Sequence, residues 1–345
     1  MNKYKVINSL YKTFFKPAAF LMDAETVHDQ MTRTGEFLEN YPKLVEYFFS
    51  YKNKNLEKEI LGIKFDNPIG LSAGFDYDGH LAQIMKNVGF GFNTVGTVTY
   101  DSYQGNKKPR LARLPKSKSL LVNKGFKSEG AKAIAKRLNK KKLEGHVIGI
   151  SIGDRQGNIK NIIKVFEIFK DKNYAKYFEL NISCPNIPAT DAFSSNPERF
   201  ENLVKKIKSL KVNQPIFLKM PNEIDIKKSD KLVFIAKKYG IQGFIFSNLV
   251  KDRNNPAFDK KEIKRFENKK GNFSGKPTFE NSNKLIKHTR KKFGNKIIII
   301  GTGGIFDAHD AKMKLNAGAD LVQLITGMIY EGPQIAGSIN SELSS

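Results

Sequence analysis

An α/β fold of the (β/α)8 TIM-barrel type, with an N-terminal two-helix extension, is predicted by three observations. Eight short apolar runs recur after residue 60. Helical patterns lie between them, and apolar strands alternating with helices imply buried parallel strands. No glycine-rich dinucleotide fingerprint follows the first run, which argues against the alternative, a doubly wound open sheet. Eight units over about 280 residues suit a closed barrel.

The elements follow in order. Residues 1–55 form a first unit and residues 56–345 a second. Met1 to Leu21 carries four lysines and no acid, with Val6, Ile7, Leu10, Phe14, Phe15, Phe20 and Leu21 spaced as in an amphipathic helix lying on a surface. Asp23 is placed to cap a helix through Glu25, His28, Met31 and Phe37. A second helix is expected near Tyr41–Tyr51. Helices this rich in Phe and Tyr either pack on the second unit or present an apolar surface. The expected strands are Pro68–Ala73, Asn93–Val98, Val147–Ile152, Tyr177–Ser183, Pro215–Met220, Gly243–Ser247, Lys296–Ile300 and Leu321–Ile325. Helical patterns between them include Gly79–Val88, Glu129–Leu138, Pro197–Leu210, Ser229–Tyr239, Glu280–Phe293 and Ala308–Ala317.

Barrel chemistry sits at the C-terminal strand ends, and here polar and small residues cluster where apolar filling stops. The last two strands exit into Gly301-Thr302-Gly303-Gly304 and Thr326-Gly327. Glycine lets the backbone approach a phosphate, and barrels bind phosphate at these two loops. Flavin mononucleotide and a sugar phosphate both satisfy that signal. Asn181-Ile182-Ser183-Cys184-Pro185-Asn186 sets amide and hydroxyl groups around one thiol. Asn side chains both donate and accept, which suits a heterocyclic imide. Cys184 is a candidate base or nucleophile, because thiolate chemistry is accessible near neutral pH. Lys219 ends an apolar strand and needs an anionic partner, such as a reduced flavin. Asn248 ends the sixth strand and can face the same space.

Composition narrows the remaining choices. A single cysteine excludes an intramolecular disulfide framework and any multi-cysteine metal cluster. The five histidines have no metal-ligand spacing and read as surface or packing residues, so no metal is expected. The net charge is 59 − 34 = +25. It points either to an anionic partner or to a lysine-rich composition; only nine of the basic residues are Arg. No apolar run reaches the ~18–20 residues of a membrane-spanning helix, and the N-terminus lacks a signal-peptide pattern.

Taken together, these residues resemble the dihydroorotate dehydrogenase family, the flavin enzymes of pyrimidine synthesis. The resemblance runs through Asn67–Asp76, Gly96-Thr97-Val98-Thr99, Lys108-Pro109-Arg110-Leu111, Asn181–Asn186, Ser274-Gly275-Lys276-Pro277 and the 301–304 and 326–327 loops. Leu21-Met22-Asp23-Ala24-Glu25-Thr26-Val27-His28 is similar to the opening helix of the membrane-associated, quinone-using class. The resemblance implies oxidation of dihydroorotate to orotate in UMP synthesis. It implies FMN held by Ala73, Gly74, Tyr77, Thr97, Ser151, Asn181, Lys219, Ser247, Gly275, Gly303, Gly304, Ile325 and Thr326. Substrate would be gripped by Asn123, Asn181, Asn186 and Asn248. Cys184 would take the C5 proton, and Lys219 would stabilise the reduced flavin. Residues 1–55 would be a membrane and quinone-access segment, peripheral on the cytoplasmic side of the cell membrane, and 56–345 the FMN-binding catalytic barrel, with no nucleic-acid partner.

Several positions depart from the family pattern. Cys184 stands where the quinone class has Ser, as in the soluble classes, which use fumarate or NAD. Tyr77 stands where that class has a substrate-side Lys, and Lys124 is placed to substitute for it. Asn123-Lys124-Gly125-Phe126 is one residue short. Leu249 replaces a Thr and Ser151 an Asn. An FMN-dependent tRNA dihydrouridine synthase is the other flavin barrel with a catalytic cysteine; the Asn-rich loop and first-strand motif oppose it.

Overall fold

Eight parallel strands close on themselves in sequence order: β1 (Ile69–Leu71), β2 (Phe92–Val98), β3 (Ile148–Ile152), β4 (Ala175–Asn181), β5 (Ile216–Met220), β6 (Gly243–Phe246), β7 (Ile298–Thr302) and β8 (Leu321–Leu324). Closure is made by β8 on β1, with Leu324 opposite Leu71. The computed structural model describes residues 3–344, leaving out the side chains of Thr190 and Asp191. Every expected strand lies within two residues of an observed one.

Large and small side chains alternate inside the barrel. Phe92, Tyr177 and Phe217 fill its lower half. A Cβ on Gly70, Gly149 or Gly243 would lie within 2.3 Å of one of these rings. The three glycines therefore provide the space the aromatics occupy. The hairpin Lys58–Ile60/Ile63–Phe65 closes the bottom, and Phe65 packs edge-on to Phe92 at 5.3 Å. Above this layer Thr94 Oγ1 lies 2.7 Å from the Tyr177 hydroxyl and accepts from Gln323 Nε2 at 2.9 Å. Polarity thus begins halfway up the barrel and increases toward the C-terminal mouth.

Five of the six expected helices are present, at Ala131–Leu138, Pro197–Ser209, Ile226–Lys238, Phe279–Phe293 and Ala308–Asn316. The sixth, Gly79–Val88, is instead a series of turns. Leu81, Ile84, Met85 and Val88 are buried as their spacing implied. Glycines at positive φ bound the segment, Gly79 at 77° and Gly89 at 105°, and the hydrogen bonds inside it are isolated. The periodicity reported the buried face but not the backbone pattern. An antiparallel three-stranded sheet (Leu111–Leu114, Ser119–Val122, Asn272–Gly275) covers part of the mouth and was not anticipated.

The N-terminal region has one more helical stretch than the two-helix expectation. Lys3–Leu21 is helical with a π-type turn at Tyr11–Phe15; Ala24–Leu38 and Pro42–Phe49 follow. Met1 and Asn2, where the first helix was expected to begin, lie outside the described residues. Asp23 caps the middle helix as expected, accepting from Glu25 N at 3.1 Å and Thr26 N at 2.9 Å, worth about 1 kcal/mol.

These helices do both things the aromatic content allowed. Tyr11 donates to Ile329 O at 2.8 Å and Asn8 to Glu331 O at 2.6 Å. Gly35 seats against Leu81, where a Cβ would lie 2.3 Å from a methyl group. The opposite faces leave Leu10, Phe14, Leu21, Phe37, Tyr41, Leu44, Tyr47 and Phe48 exposed, Leu21 by 91%. None of the described helices is long and apolar enough to cross a membrane.

Candidate active site

A cavity of about 360 Å³ opens at the barrel mouth and continues between the N-terminal helices. Its barrel end carries Ala73, Gly74, Thr97, Asn181, Cys184, Lys219 and Asn248. The strand period of two puts Tyr177, Glu179 and Asn181 of β4 on the same inward face. Asn181 Nδ2 donates to Thr97 Oγ1 at 2.8 Å, and Asn248 Nδ2 donates to Asn181 Oδ1 at 3.2 Å and Ser183 Oγ at 3.1 Å. Ser183 Oγ donates to Lys219 O at 2.7 Å. The ends of β2, β4, β5 and β6 are thus tied into one network, with Asn181 and Asn248 beside the lysine.

Cys184 is buried and packs with Phe126 and Ile187. Asn186 donates to Val122 O at 2.9 Å and accepts from Asn272 at 2.7 Å. Tyr77 and Ile325 also line the cavity. Asn123 does not: its Oδ1 accepts from Asn106 at 3.0 Å. Ser151, Ser247, Gly275, Gly303, Gly304 and Thr326 lie outside the lining. The last four are nonetheless close to one another. A Cβ on Gly275 would meet Thr326 at 2.9 Å, and one on Gly303 would meet Thr278 at 2.2 Å. Ser274 and Thr326 hydroxyls are 2.8 Å apart. The three glycine- and threonine-bearing loops therefore form one wall beside the cavity.

The structure adds a protein partner for Lys219 that the sequence did not show. Its Nζ lies 3.1 Å from Glu179 Oε1, so an anion is already present within the protein. Glu179 was missed because it sits mid-strand in an apolar run, although its alternation with Asn181 marks it as inward-facing. The five histidines read as surface or packing residues; His28 is a packing residue that also borders the site. His28 lines the cavity, with the Phe75 and Tyr77 rings edge-on at 5.0 and 5.2 Å. Burial, reinforced by the nearby Lys124 charge, pushes its imidazole down to about 4. It is therefore neutral at physiological pH. Arg113 lines the same passage and went unremarked in the sequence.

A buried ion cluster joins the middle N-terminal helix to the mouth. Arg110 grips Glu25 through Nε at 3.0 Å and Nη2 at 2.6 Å. Lys124 Nζ lies 2.9 Å from the same carboxylate and 4.9 Å from the Tyr77 ring centre. Burial alone would raise the Glu25 carboxyl, but Arg110 and Lys124 outweigh it and hold it at about 2. Two buried cations share one carboxylate beside the cavity, which Lys124 lines.

Comparison with known proteins identifies the family. The sequence profile of the family described as dihydroorotate dehydrogenase matches residues 55–345. A protein from Christiangramia forsetii named dihydroorotate dehydrogenase (quinone) is 34% identical, covering 97% of this chain and 98% of that one. The chain belongs to the dihydroorotate dehydrogenase family. A second relative of the same name, from Bartonella henselae, is 35% identical over 97% of this chain and 91% of its own. Among solved structures, the ligand-free enzyme of this family from Eimeria tenella superposes with a TM-score of 0.82 at 26% identity, over 93% of this chain and 94% of that one.

The family is FMN-dependent, and the residues present fit that group. Gly74 has φ 107°, and the one neighbour a Cβ there would meet is Ile325, at 3.6 Å. A side chain at 74 would therefore occupy cavity space that a flat ring needs. Lys219 supplies a buried cation, and Asn181 and Asn248 supply amides. The Gly303–Gly304 and Thr326–Gly327 loops would supply backbone N–H groups for its phosphate.

Proposed function

We propose that this chain oxidises dihydroorotate to orotate in UMP synthesis and delivers the electrons to a membrane quinone through its N-terminal helices. The observation that carries the reading is the continuity of one cavity from Cys184 and Lys219 to the apolar side chains of residues 11–49.

Residues 56–345 are the catalytic barrel. FMN would be held by Ala73, Gly74, Tyr77, Thr97, Ser151, Asn181, Lys219, Ser247, Gly275, Gly303, Gly304, Ile325 and Thr326. When bound there, FMN would supply the hydride-accepting and electron-relaying chemistry. Asn181, Asn186 and Asn248 hold the imide edge of the substrate by paired donation and acceptance, with Asn123 bracing the loop from behind. The Cys184 thiolate takes the proton from C5, so one C–H bond loses a proton and its neighbour a hydride. Lys124, backed by Tyr77, faces the substrate carboxylate. Lys219 holds positive charge where negative charge grows.

Residues 1–55 are the membrane and quinone-access segment. Their exposed apolar side chains, flanked by Lys3, Lys5, Lys12 and Lys16, suit peripheral binding to an anionic bilayer on the cytoplasmic side. Phe15, Phe20, Val27, Met31, Leu38 and Phe49 give an apolar route inward. Cys184 in place of Ser favours one alternative, a soluble acceptor. The test is to reduce the purified yellow protein with dihydroorotate and compare reoxidation by a quinone, fumarate and NAD. Fast quinone turnover is expected; preferential reoxidation by fumarate or NAD overturns the acceptor. Failure of dihydroorotate to bleach the flavin overturns the reaction.

A further inference from the structure

Glu179 is a charged group at the mouth, beside Lys219, to which the reaction assigns no part. It is fully buried in β4. Its Oε1 accepts from Ser151 Oγ at 2.9 Å and from Lys219 Nζ at 3.1 Å, while Oε2 has no hydrogen-bond partner among the described residues. Burying a carboxylate is costly, and a buried ion pair seldom stabilises a fold more than apolar residues of the same volume. The barrel fills its lower layer with Phe, Tyr and Ile, and the buried polar pair Thr94 and Gln323 carries no charge. A purely structural need is therefore met as well by an uncharged side chain.

The geometry points to a different role. Lys219 lines the cavity and Glu179 does not, so the carboxylate lies behind the ammonium as seen from the flavin site. Ser151 Oγ is also 3.2 Å from Thr97 Oγ1, which accepts from Asn181. The carboxylate is thus oriented by the same network that holds the substrate-side amides. We propose that Glu179 is a positioning residue that fixes the Lys219 ammonium against the flavin and offsets part of its charge, thereby setting the flavin's reduction potential. The proposal rests on the FMN reading of the cavity. An unbalanced ammonium in a low-dielectric site would strongly stabilise the negative charge of reduced flavin. The electron pair would then be held rather than passed on. A carboxylate 3.1 Å away weakens that field without removing the donor.

The experiment is a spectroelectrochemical titration of the flavin in the holoprotein at pH 6. The parent protein is first shown to be reduced by dihydroorotate; failure at that step refutes the functional reading and not this one. Glu179→Gln keeps the side-chain volume and removes the charge. Its reduced-to-oxidised equilibrium is expected to shift tenfold or more toward reduced flavin, an upward change of about 30 mV for two electrons. Lys219→Gln is expected to move the potential down by at least as much. A potential for Glu179→Gln within about 10 mV of the parent, roughly a twofold shift, overturns the proposal. If that variant does not retain FMN, the double variant Glu179→Gln/Lys219→Gln is compared with Lys219→Gln, a background holding no unpaired cation. The double variant is then expected about 30 mV higher, and equal potentials overturn the proposal.

Discussion

Replacing Glu25 by Gln tests whether the N-terminal helices are locked to the mouth by the buried ion cluster. The Glu25 side chain is 3% exposed and shares its carboxylate between Arg110 and Lys124. Its carboxyl is held at about 2, against an ordinary 4.5. At 1.36 kcal/mol per pH unit the stabilisation is at most ~3 kcal/mol. Solvent reaching the adjoining cavity screens the pair, so about 2 kcal/mol is expected at pH 7. At ~2 °C per kcal/mol for a chain of this size, Tm falls by about 4 °C. The sign of the pH dependence is fixed. A carboxyl whose folded value is depressed stabilises the fold above about 4.5, and that contribution is lost as pH falls from 4.5 to 2. The parent–variant difference in Tm, read by calorimetry at pH 7, 5 and 3, is therefore expected to shrink toward acid. Because this helix also carries Val27, His28 and Met31 into the passage, quinone turnover should fall more than flavin reduction by substrate. A Tm within 1 °C of the parent at pH 7, or a gap that stays constant down to pH 3, refutes the reasoning.

Three further outcomes are expected. Cys184→Ala should lose dihydroorotate oxidation by ~10²-fold or more while keeping its flavin absorbance, and Cys184→Ser should keep part of the rate; near-normal turnover in the alanine variant removes Cys184 as the base. Lys124→Ala should weaken substrate affinity about tenfold in stopped-flow flavin reduction, as expected for loss of a charge-assisted contact; a loss below about twofold means Lys124 does not meet the carboxylate. Phe14→Glu combined with Leu21→Glu, both exposed, should abolish co-sedimentation with phosphatidylglycerol vesicles and leave flavin reduction by substrate unchanged; continued vesicle binding would place the membrane contact elsewhere.

Single residues show which features were legible in the sequence. Barrel strands are fully buried, so their apolar runs stand out and all eight were legible. Strand-end polarity marked Asn181, Cys184, Lys219 and Asn248, which the fold does bring to one cavity. Side chains that reach the cavity from outside a strand end were harder to see. His28 sits on a helix whose relation to the mouth depends on the Glu25–Arg110 pair, 85 residues apart. The sheet over the mouth pairs Ser119–Val122 with Asn272–Gly275, about 150 residues away. Such pairings leave no local periodicity. Glu179 was hidden differently: one acid among apolar neighbours looks like a solvated residue until its partner is known.

The cysteine and the passage bear on different halves of the reaction, which resolves their apparent conflict. On the proposed reading, a thiol or hydroxyl at 184 would determine how the C5 proton leaves, and either can be tuned to serve. The acceptor is determined by what can reach the flavin. Between the N-terminal helices and the barrel end, the route is lined by Phe15, Phe20, Val27, Met31, Leu38 and Phe49. A dicarboxylate such as fumarate, or the phosphates of NAD, would shed most of their water along that wall and meet few compensating groups, at a cost of several kcal/mol. A quinone gains from the same wall, at ~25 cal/mol per Å² of apolar surface buried, and needs polar contacts only at its head. Neutral His28 and charged Arg113 stand in the passage where such a head would arrive. On that reading, exchanging the base would change the rate and pH profile of flavin reduction, whereas the choice of acceptor would stay with residues 11–49.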